Sequence, residues 1–294
     1  MNINVIQLNR TNALENNIHK DNHSYIYINK NYKLNICIIG LGWLGTPLAE
    51  KLKEDGHTIN GSTKKKTKKN AIIKREINAF ILDVSKSIFI NQQQTSTIDI
   101  IVITIPPLKK ENQNYYGDKL IEIVEQFPET SKFIFTSSIS VYENLSGEYN
   151  EDSKKLIQSS PILIAEKKLS GLLNSRLTIL RLGGLVGLNR HPINIIQGKK
   201  NIKNPKGLIN LVHINDVINA IKVIIKKSHF GYTYNLVNPY NPERKIYYDK
   251  MIEKYNLLPV SFESSSKIIH RKINASKICK ELDFSFNTSI KKIE

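Results

Sequence analysis

Short apolar runs alternate with amphipathic segments from residue 34 onward, the pattern of strands that alternate with helices. An apolar run at 36–39 and a strongly apolar segment at 98–105 predict buried strands. Further strands are predicted at 57–62, 78–82, 132–136 and 177–182, and helices after the first strand and at 115–127 and 161–173. This alternation predicts an α/β fold with a doubly wound parallel sheet and helices on both faces.

The remaining segments carry weaker patterns. Residues 1–32 are polar and rich in asparagine, and we predict a polar N-terminal extension with a short strand at 24–28. The lysine run that begins at Lys64 is predicted to lie in a loop after the second strand. The chain after Gly183 is irregular and rich in Gly, Asn and Pro, so its elements are not predicted.

A glycine motif stands between the first strand and the first helix. The sequence Gly-Leu-Gly-Trp-Leu-Gly occupies residues 40–45, in the order strand, turn and helix that dinucleotide sites use. Gly40 permits the turn, Gly42 admits a diphosphate, and Gly45 lets helix and strand pack closely. The backbone at Trp43 and Leu44 opens the helix and offers N–H groups to the phosphates. The alternative is a glycine turn in an unrelated α/β protein.

The second strand indicates which dinucleotide is preferred. Sites for NAD usually carry an acidic residue about 20 positions after the motif, and no acidic residue occurs from 56 to 75. Ser62 and Thr63 can donate hydrogen bonds and Lys64 supplies charge, which suits the 2′-phosphate of NADP. We therefore predict NADP(H), with NAD(H) as the alternative; these lysines can equally form a solvated loop.

Two later strand ends complete the predicted cofactor site. Asp83 follows the third strand, where it can accept a hydrogen bond from the adenine amine or shape a turn. Thr104 and Pro106 end the fourth strand, and ligands of open α/β sheets lie beyond the carboxyl ends of strands. Both are predicted to flank the cofactor.

Composition and charge exclude several functional classes. The net charge of +17 comes from 43 basic residues, of which only seven are arginine, and Lys, Asn and Ile are all abundant. That bias indicates AT-rich codons rather than nucleic-acid binding, which favours arginine. No apolar run reaches the length of about 20 residues that a membrane helix needs. Two distant cysteines give no metal spacing or disulfide framework, so we expect a cytoplasmic protein without metal.

Five further motifs follow in order along the chain. They are residues 135–142 (FTSSISVY), 180–187 with 190–192 (LRLGGLVG and RHP), 211–217 (LVHINDV), 234–236 (YNL) and 273–277 (INASK). With the glycine motif, they resemble atypical extended short-chain dehydrogenase/reductases of the NAD-dependent epimerase/dehydratase family over residues 34–290. The resemblance implies a Rossmann-type domain at 33–182 and a small C-terminal substrate-binding lobe at 183–294 that completes the sheet.

The resemblance also implies catalytic residues. In this family a Ser, a Tyr and a Lys carry the chemistry. Ser138 matches the Ser, although a strand-end hydroxyl can simply cap the turn. Lys168 matches the Lys, and Ile164 stands where the Tyr belongs. Because isoleucine cannot transfer a proton, the usual mechanism of the family is in question.

Three other residues are candidates for substrate binding. Tyr142 is expected to pack or to line the substrate, and Arg190 to bind an anionic substrate through its guanidinium fork. His213 lies in a segment that borders the substrate lobe in this family. Asp216 is expected to cap the helix that follows.

Two functions of different classes remain from the sequence. The first is an NADP(H)-dependent oxidoreductase or epimerase with a small, anionic substrate. The alternative is a non-catalytic NADP(H) sensor, which the isoleucine at 164 favours. We predict a monomer or a homodimer; the resemblance to the family implies that a dimer would form through the helices at 115–127 and 161–173.

Overall fold

The computed structural model describes residues 33–86, 88–107, 112–264 and 267–291. The predicted extension at 1–32, including the strand at 24–28, lies outside the described residues. The strands are β1 (Asn35–Ile39), β2 (Thr58–Thr63), β3 (Asn78–Ile81), β4 (Ile100–Ile103), β5 (Lys132–Ser138), β6 (Gly147–Tyr149), β7 (Leu177–Leu182), β8 (Gly184–Val186), β9 (Leu211–His213), β10 (Thr233–Leu236) and β11 (Arg271–Ile273). The α-helices are α1 (Gly45–Glu54), α2 (Lys66–Ile73), α3 (Gln92–Thr95), α4 (Tyr115–Val124), α5 (Pro161–Leu173), α6 (Ile193–Ile196), α7 (Ile214–Lys226), α8 (Arg244–Tyr255) and α9 (Ser276–Leu282).

Seven strands form one parallel sheet in the order β10-β7-β5-β4-β1-β2-β3. The chain builds outward from β1 in one direction through β2 and β3, and then in the other direction from β4. This order confirms the predicted doubly wound α/β fold. The reversal places a crevice outside the carboxyl ends of β1 and β4, where ligands bind in folds of this kind.

The two faces of the sheet are buried against different helices. Ile36 and Ile38 of β1 belong to a core cluster that includes Leu48 of α1. Cys37 and Ile39 point to the other face, into a cluster that includes residues of α4 and α5. Because successive side chains of a strand alternate between faces, a strand that is covered on both sides must be apolar throughout. The apolar run that predicted β1 is therefore explained.

A smaller lobe follows β7. Its core contains Ile193 of α6, Leu211 of β9 and the α8 residues Tyr247 and Met251. The three-residue strands β8 and β9 pair with each other, and β11 pairs with β6 of the first half of the chain. β10 returns to the main sheet beside β7. The lobe thus adds a strand to the sheet and extends beyond its carboxyl edge.

Two local predictions were wrong. Lys66, Lys68 and Lys69 lie in the helix α2 rather than in a loop. Asp216 does not cap α7, because the ring nitrogen Nδ1 of His213 accepts the N–H of Asn215 and performs that role. No helix in the described part of the chain is long and apolar enough to cross a membrane.

A buried histidine of the lobe is expected to make stability pH-dependent. His191 is 3% exposed, accepts the N–H of Ile193 at Nδ1 and meets the Tyr247 hydroxyl at Nε2. Burial lowers the pKa of His191 from 6.5 to about 4. The unfolded chain therefore binds more protons between these values, and stability falls as the pH drops from 6.5 towards 4. The loss attributable to His191 is expected to reach roughly 3 kcal/mol.

Urea unfolding at a series of pH values checks this expectation. The His191→Gln variant should lose much of the slope between pH 6.5 and 4, while His270→Gln, a change at an exposed histidine, serves as the matched control. An unchanged slope in His191→Gln would show that other groups cause the acid sensitivity.

Candidate functional site

The glycine loop between β1 and α1 has a tight geometry. Gly40 has a φ of +107°, which L side chains rarely adopt. A Cβ atom on Gly45 would lie 2.1 Å from the carbonyl oxygen of Gly40, whereas the nearest atom to a Cβ on Gly42 would be 3.7 Å away. The fold therefore requires glycine at 40 and 45. Packing within the protein does not require glycine at position 42, which points to a ligand that approaches the backbone there.

Hydroxyl groups from the neighbouring strands hold this loop. Ser62 at the end of β2 accepts the N–H of Gly40 at 3.0 Å, and its carbonyl accepts the N–H of Leu41. Thr104 after β4 donates to the carbonyl of Gly40 at 2.6 Å. Thr104 therefore lies beside the loop, and its contact with the cofactor stays a prediction. Ser62 is 2% exposed, so it shapes the loop, a role that the sequence did not predict.

The basic segment after β2 lies beside the end of β3. Lys64 forms an ion pair with Asp83 at 3.3 Å, and the Lys64 side chain remains 67% exposed. Hydrogen bonds from Ser85, together with Lys64, hold the pKa of Asp83 below its usual range. Thr63 is buried, and its carbonyl accepts the N–H of Leu82. The two predicted cofactor contacts Lys64 and Asp83 therefore meet each other directly.

Each candidate catalytic residue has a partner of its own in this structure. Ser138 ends β5, and its hydroxyl accepts the N–H of Ser140, so it caps the short 3-10 turn that follows. Lys168 lies two turns into α5 and pairs with Asp118 of α4. Its ammonium group is thus directed towards the neighbouring helix. The half-buried Ile164 stands one turn before it on α5.

Two of the three candidate substrate residues are buried. Tyr142 is inaccessible to solvent; its hydroxyl donates to the side-chain oxygen of Asn235 and accepts from Arg181, both at 2.9 Å. Burial raises the pKa of the Tyr142 phenol. His213 is 1% exposed and caps α7. Their side chains therefore form part of the interior in this structure.

Asp216 has a different structural role from the expected one. It is fully buried, and one carboxylate oxygen accepts the N–H groups of Asn287 and Thr288. Burial raises the pKa of Asp216, and these hydrogen bonds oppose that shift. The carboxylate anchors the C-terminal segment to α7.

The third candidate, Arg190, lies against the glycine loop. Its guanidinium carbon is 4.9 Å from the centre of the Trp43 ring, and the Trp43 indole donates to the carbonyl of Leu188 at 3.3 Å. The predicted cofactor residue Trp43 and the predicted substrate residue Arg190 are therefore neighbours.

A cavity of about 340 Å³ lies between the lobe and the end of β5. Ile139, next to Ser138, contributes to its wall, and Arg244, Arg271, Asn210 and Tyr248 contribute its polar groups. Burial lowers the pKa of Arg271, and the charge of Arg244 lowers it further, so the two guanidinium groups influence each other.

The arginines of the cavity are held by backbone carbonyls. Arg244 donates to the carbonyl of Lys203 at 2.9 Å, and Arg271 to that of Tyr142 at 3.3 Å. Across the described residues, no carboxylate pairs with either side chain. The sequence analysis did not predict Arg244 or Arg271 as site residues. The signal that could have identified them is the rarity of arginine in this lysine-rich chain.

Comparisons with known proteins agree with this architecture. Residues 35–155 match the NAD binding domain of 6-phosphogluconate dehydrogenase. The protein YeeZ of Escherichia coli K12 is 31% identical over 261 residues, which cover 85% of this chain and 95% of YeeZ.

Solved structures share the fold at lower identity. The ADP-L-glycero-D-manno-heptose-6-epimerase of Helicobacter pylori superposes with a TM-score of 0.71 at 14% identity, covering 90% of this chain and 94% of that one. The UDP-glucuronic acid 4-epimerase of Bacillus cereus, solved in complex with NAD, gives 0.68 at 17% identity, covering 88% and 93%. The chain therefore belongs to the family of YeeZ, and it shares its fold with the two epimerases, as the resemblance found in the sequence implies.

Proposed function

We propose that this protein binds NADP(H) at the loop 40–45 and acts as an oxidoreductase or epimerase on a small anionic substrate. The observation that carries the proposal is the open position at Gly42, in a loop that both neighbouring strands hold in place. The match to an NAD binding domain and the NAD complex of the Bacillus cereus relative support it.

The residues of the loop fit a dinucleotide diphosphate. The first turn of α1 contains no acidic residue, and no side chain caps it. The N–H groups of Gly42 and Thr46 donate to backbone carbonyls, whereas the described structure records no hydrogen bond for those of Trp43, Leu44 and Gly45. These three N–H groups and the positive end of the helix dipole can meet an anion. A side chain at 42 would occupy the space that a diphosphate needs to reach them, so the backbone at Trp43, Leu44 and Gly45 would hold the diphosphate beside Gly42.

The charges beyond β2 favour NADP over NAD. Lys64 is largely exposed, and Lys65 precedes α2, whose first turn lacks an acidic residue. A 2′-phosphate placed here would meet two ammonium groups and the start of a helix. Lys64 forms an ion pair with Asp83 in this structure, and a 2′-phosphate would compete with Asp83 for the Lys64 ammonium group.

Replacing both Lys64 and Lys65 with alanine is expected to weaken NADPH binding by about tenfold or more, the effect of losing one to two charge-assisted contacts. NADH affinity should change little, because NADH has no 2′-phosphate. Lys68→Ala/Lys69→Ala removes the same charge from within α2 and is the matched control. Equal weakening of NADPH and NADH would contradict the assignment.

The two-arginine cavity is the proposed substrate site. Arg244 and Arg271 lack carboxylate partners in the described structure and can both bind carboxylate or phosphate through their guanidinium forks. Ile139 lines the cavity beside Ser138, so a substrate held there would approach the end of β5. The relative from Bacillus cereus has been solved with UDP-glucuronic acid, an anion of this class, and that compound is a suitable first probe.

The proposed chemistry divides between cofactor and chain. A bound nicotinamide supplies or accepts the hydride. The chain binds the dinucleotide through the glycine loop, holds the anionic end of the substrate at the two arginines and orients a substrate oxygen at Ser138. With isoleucine at 164, the proton comes from water or from a group on the substrate. Loss of reduced-nicotinamide absorbance in the presence of candidate anionic carbonyl compounds tests this activity.

The alternative is a non-catalytic sensor of NADP(H). The pairing of Lys168 with Asp118 favours it, because that ammonium group is engaged by a carboxylate of α4 in this structure. A sensor would bind NADPH tightly and change shape or partner, with no turnover of any carbonyl compound. A single-turnover experiment that follows both the bound cofactor and the candidate substrate, begun once with NADPH and once with NADP⁺, separates the two. Net hydride transfer or epimerisation of a substrate supports the enzyme, and the absence of both across the screen supports the sensor.

A further inference from the structure

A tight two-residue turn of the C-terminal lobe projects onto the glycine loop. Gly187 and Arg190 exchange both backbone hydrogen bonds, at 2.9 and 3.0 Å. Between them, Leu188 and Asn189 have φ values of 48° and 62°, in the left-handed region. A type I′ turn requires positive φ at both central residues, and leucine rarely adopts it. The turn is thus a defined structure that tolerates strain at Leu188.

This turn is attached to the glycine motif through Trp43. The indole N–H donates to the carbonyl of Leu188, and the Arg190 guanidinium stacks over the ring at 4.9 Å. Cation–π contacts of this kind fix the direction of an arginine side chain. Arg190 is therefore held beside the loop that opens α1.

The charge of Arg190 has no acidic partner there. The structure records no ion pair for it within the described ranges of the chain. Neither the first turn of α1 nor the glycine motif carries a carboxylate. Arg190 is exposed at this position. An anion between its guanidinium and the start of α1 would interact favourably with both the arginine and the positive end of the helix.

We propose that Arg190 binds the diphosphate of the dinucleotide, so that the lobe contributes a residue to the cofactor site. This inference rests on the proposed function, because it places the diphosphate at loop 40–45. It reassigns Arg190 from the substrate to the cofactor and leaves the substrate anion to Arg244 and Arg271. The turn 187–190 would then lie beside the diphosphate through its contacts with Trp43.

Ligands that differ in the diphosphate test this assignment. Arg190→Gln should weaken the binding of NADPH and of NADH by the same factor, about tenfold for the loss of one charge-assisted contact. Adenosine 2′-monophosphate carries the adenine and the 2′-phosphate but no diphosphate, and its affinity should not change. Arg190→Lys should restore part of the dinucleotide affinity. Arg75→Gln, which removes an exposed arginine that pairs with Glu50, is the control.

The outcomes separate this inference from the proposed function. If the wild-type protein binds neither dinucleotide, the proposed function fails and the inference fails with it. If the wild type binds NADPH and Arg190→Gln binds it equally well, only the role of Arg190 is refuted. The role of Arg190 is also refuted if the variant binds adenosine 2′-monophosphate more weakly by the same factor as the dinucleotides, because the substitution would then have disturbed the site as a whole.

Discussion

Replacing Gly42 with alanine is expected to abolish dinucleotide binding while leaving the fold intact. The new methyl group would lie 3.7 Å from the carbonyl oxygen of Gly40, an ordinary contact distance. Gly42 does not have the positive φ that excludes alanine, so the change should alter stability by less than about 1 kcal/mol and can raise it. On the outer side, however, the methyl group occupies the space proposed for the diphosphate.

The expected loss of affinity is large. Forcing a methyl group into a tight contact costs about 1–3 kcal/mol, and the displaced phosphate also loses its N–H contacts. Together these effects should lower the affinity for NADPH by roughly a hundredfold or more. Isothermal titration measures the affinity, and urea unfolding measures the stability of the same preparation.

Gly45→Ala is the contrasting variant. Its methyl group would lie 2.1 Å from the Gly40 carbonyl oxygen and 2.9 Å from the Thr104 hydroxyl, so it should lower stability and binding together. Only the pair of results separates a ligand requirement from a packing requirement. If Gly42→Ala binds NADPH as the wild type does, the diphosphate does not lie at this loop.

Removing the carboxylate of Glu166 is expected to cost the most stability. Glu166 of α5 and Arg181 of β7 form a buried bidentate pair, with 2.7 Å between the Arg181 Nη2 and Glu166 Oε2 atoms. Ser137 also donates to Glu166, and Arg181 continues to the Tyr142 hydroxyl. Glu166→Gln leaves the Arg181 charge buried and unpaired, which typically costs about 3–5 kcal/mol.

The double variant shows whether the charge is the cause. Glu166→Leu/Arg181→Met removes both ions and should recover much of the loss, because well-packed apolar residues often replace a buried ion pair without penalty. Urea unfolding of the single and double variants at neutral pH measures both effects. A loss below about 1 kcal/mol in Glu166→Gln would mean that water or another group solvates Arg181.

The sequence predicted the parts of the fold that carry strong local signals. The helix Pro161–Leu173 and the strand Leu177–Leu182 have the predicted bounds, because Ser160 and Pro161 start the helix and a mostly apolar run forms the buried strand. α2 was missed because its lysine-rich sequence has no acidic first turn and no side-chain cap. Short strands such as β8 and β9 depend on pairing with distant segments, which no local pattern reveals.

The candidate site divides in the same way. The glycine loop was predicted because the strand, turn and helix follow one another in the chain, and Thr104 was a candidate because it follows the fourth strand. Arg190 and Trp43 are 147 positions apart, and their contact depends on how the lobe folds back onto the sheet. The same holds for Arg244 and Arg271, which α8 and β11 bring to one cavity. Ser62 was assigned to the cofactor on chemistry alone, and the structure shows that its hydroxyl holds Gly40.

A direct titration with NADPH and NADH tests whether the glycine loop 40–45 binds a nicotinamide dinucleotide. Trp43 is the single tryptophan of the chain and lies within the glycine loop, so its fluorescence should report binding without a label. We expect saturable quenching of the Trp43 fluorescence with energy transfer to the nicotinamide, and tighter binding of NADPH than of NADH. Absence of a saturable response to either dinucleotide would contradict the cofactor site, and with it the enzyme and the sensor alike.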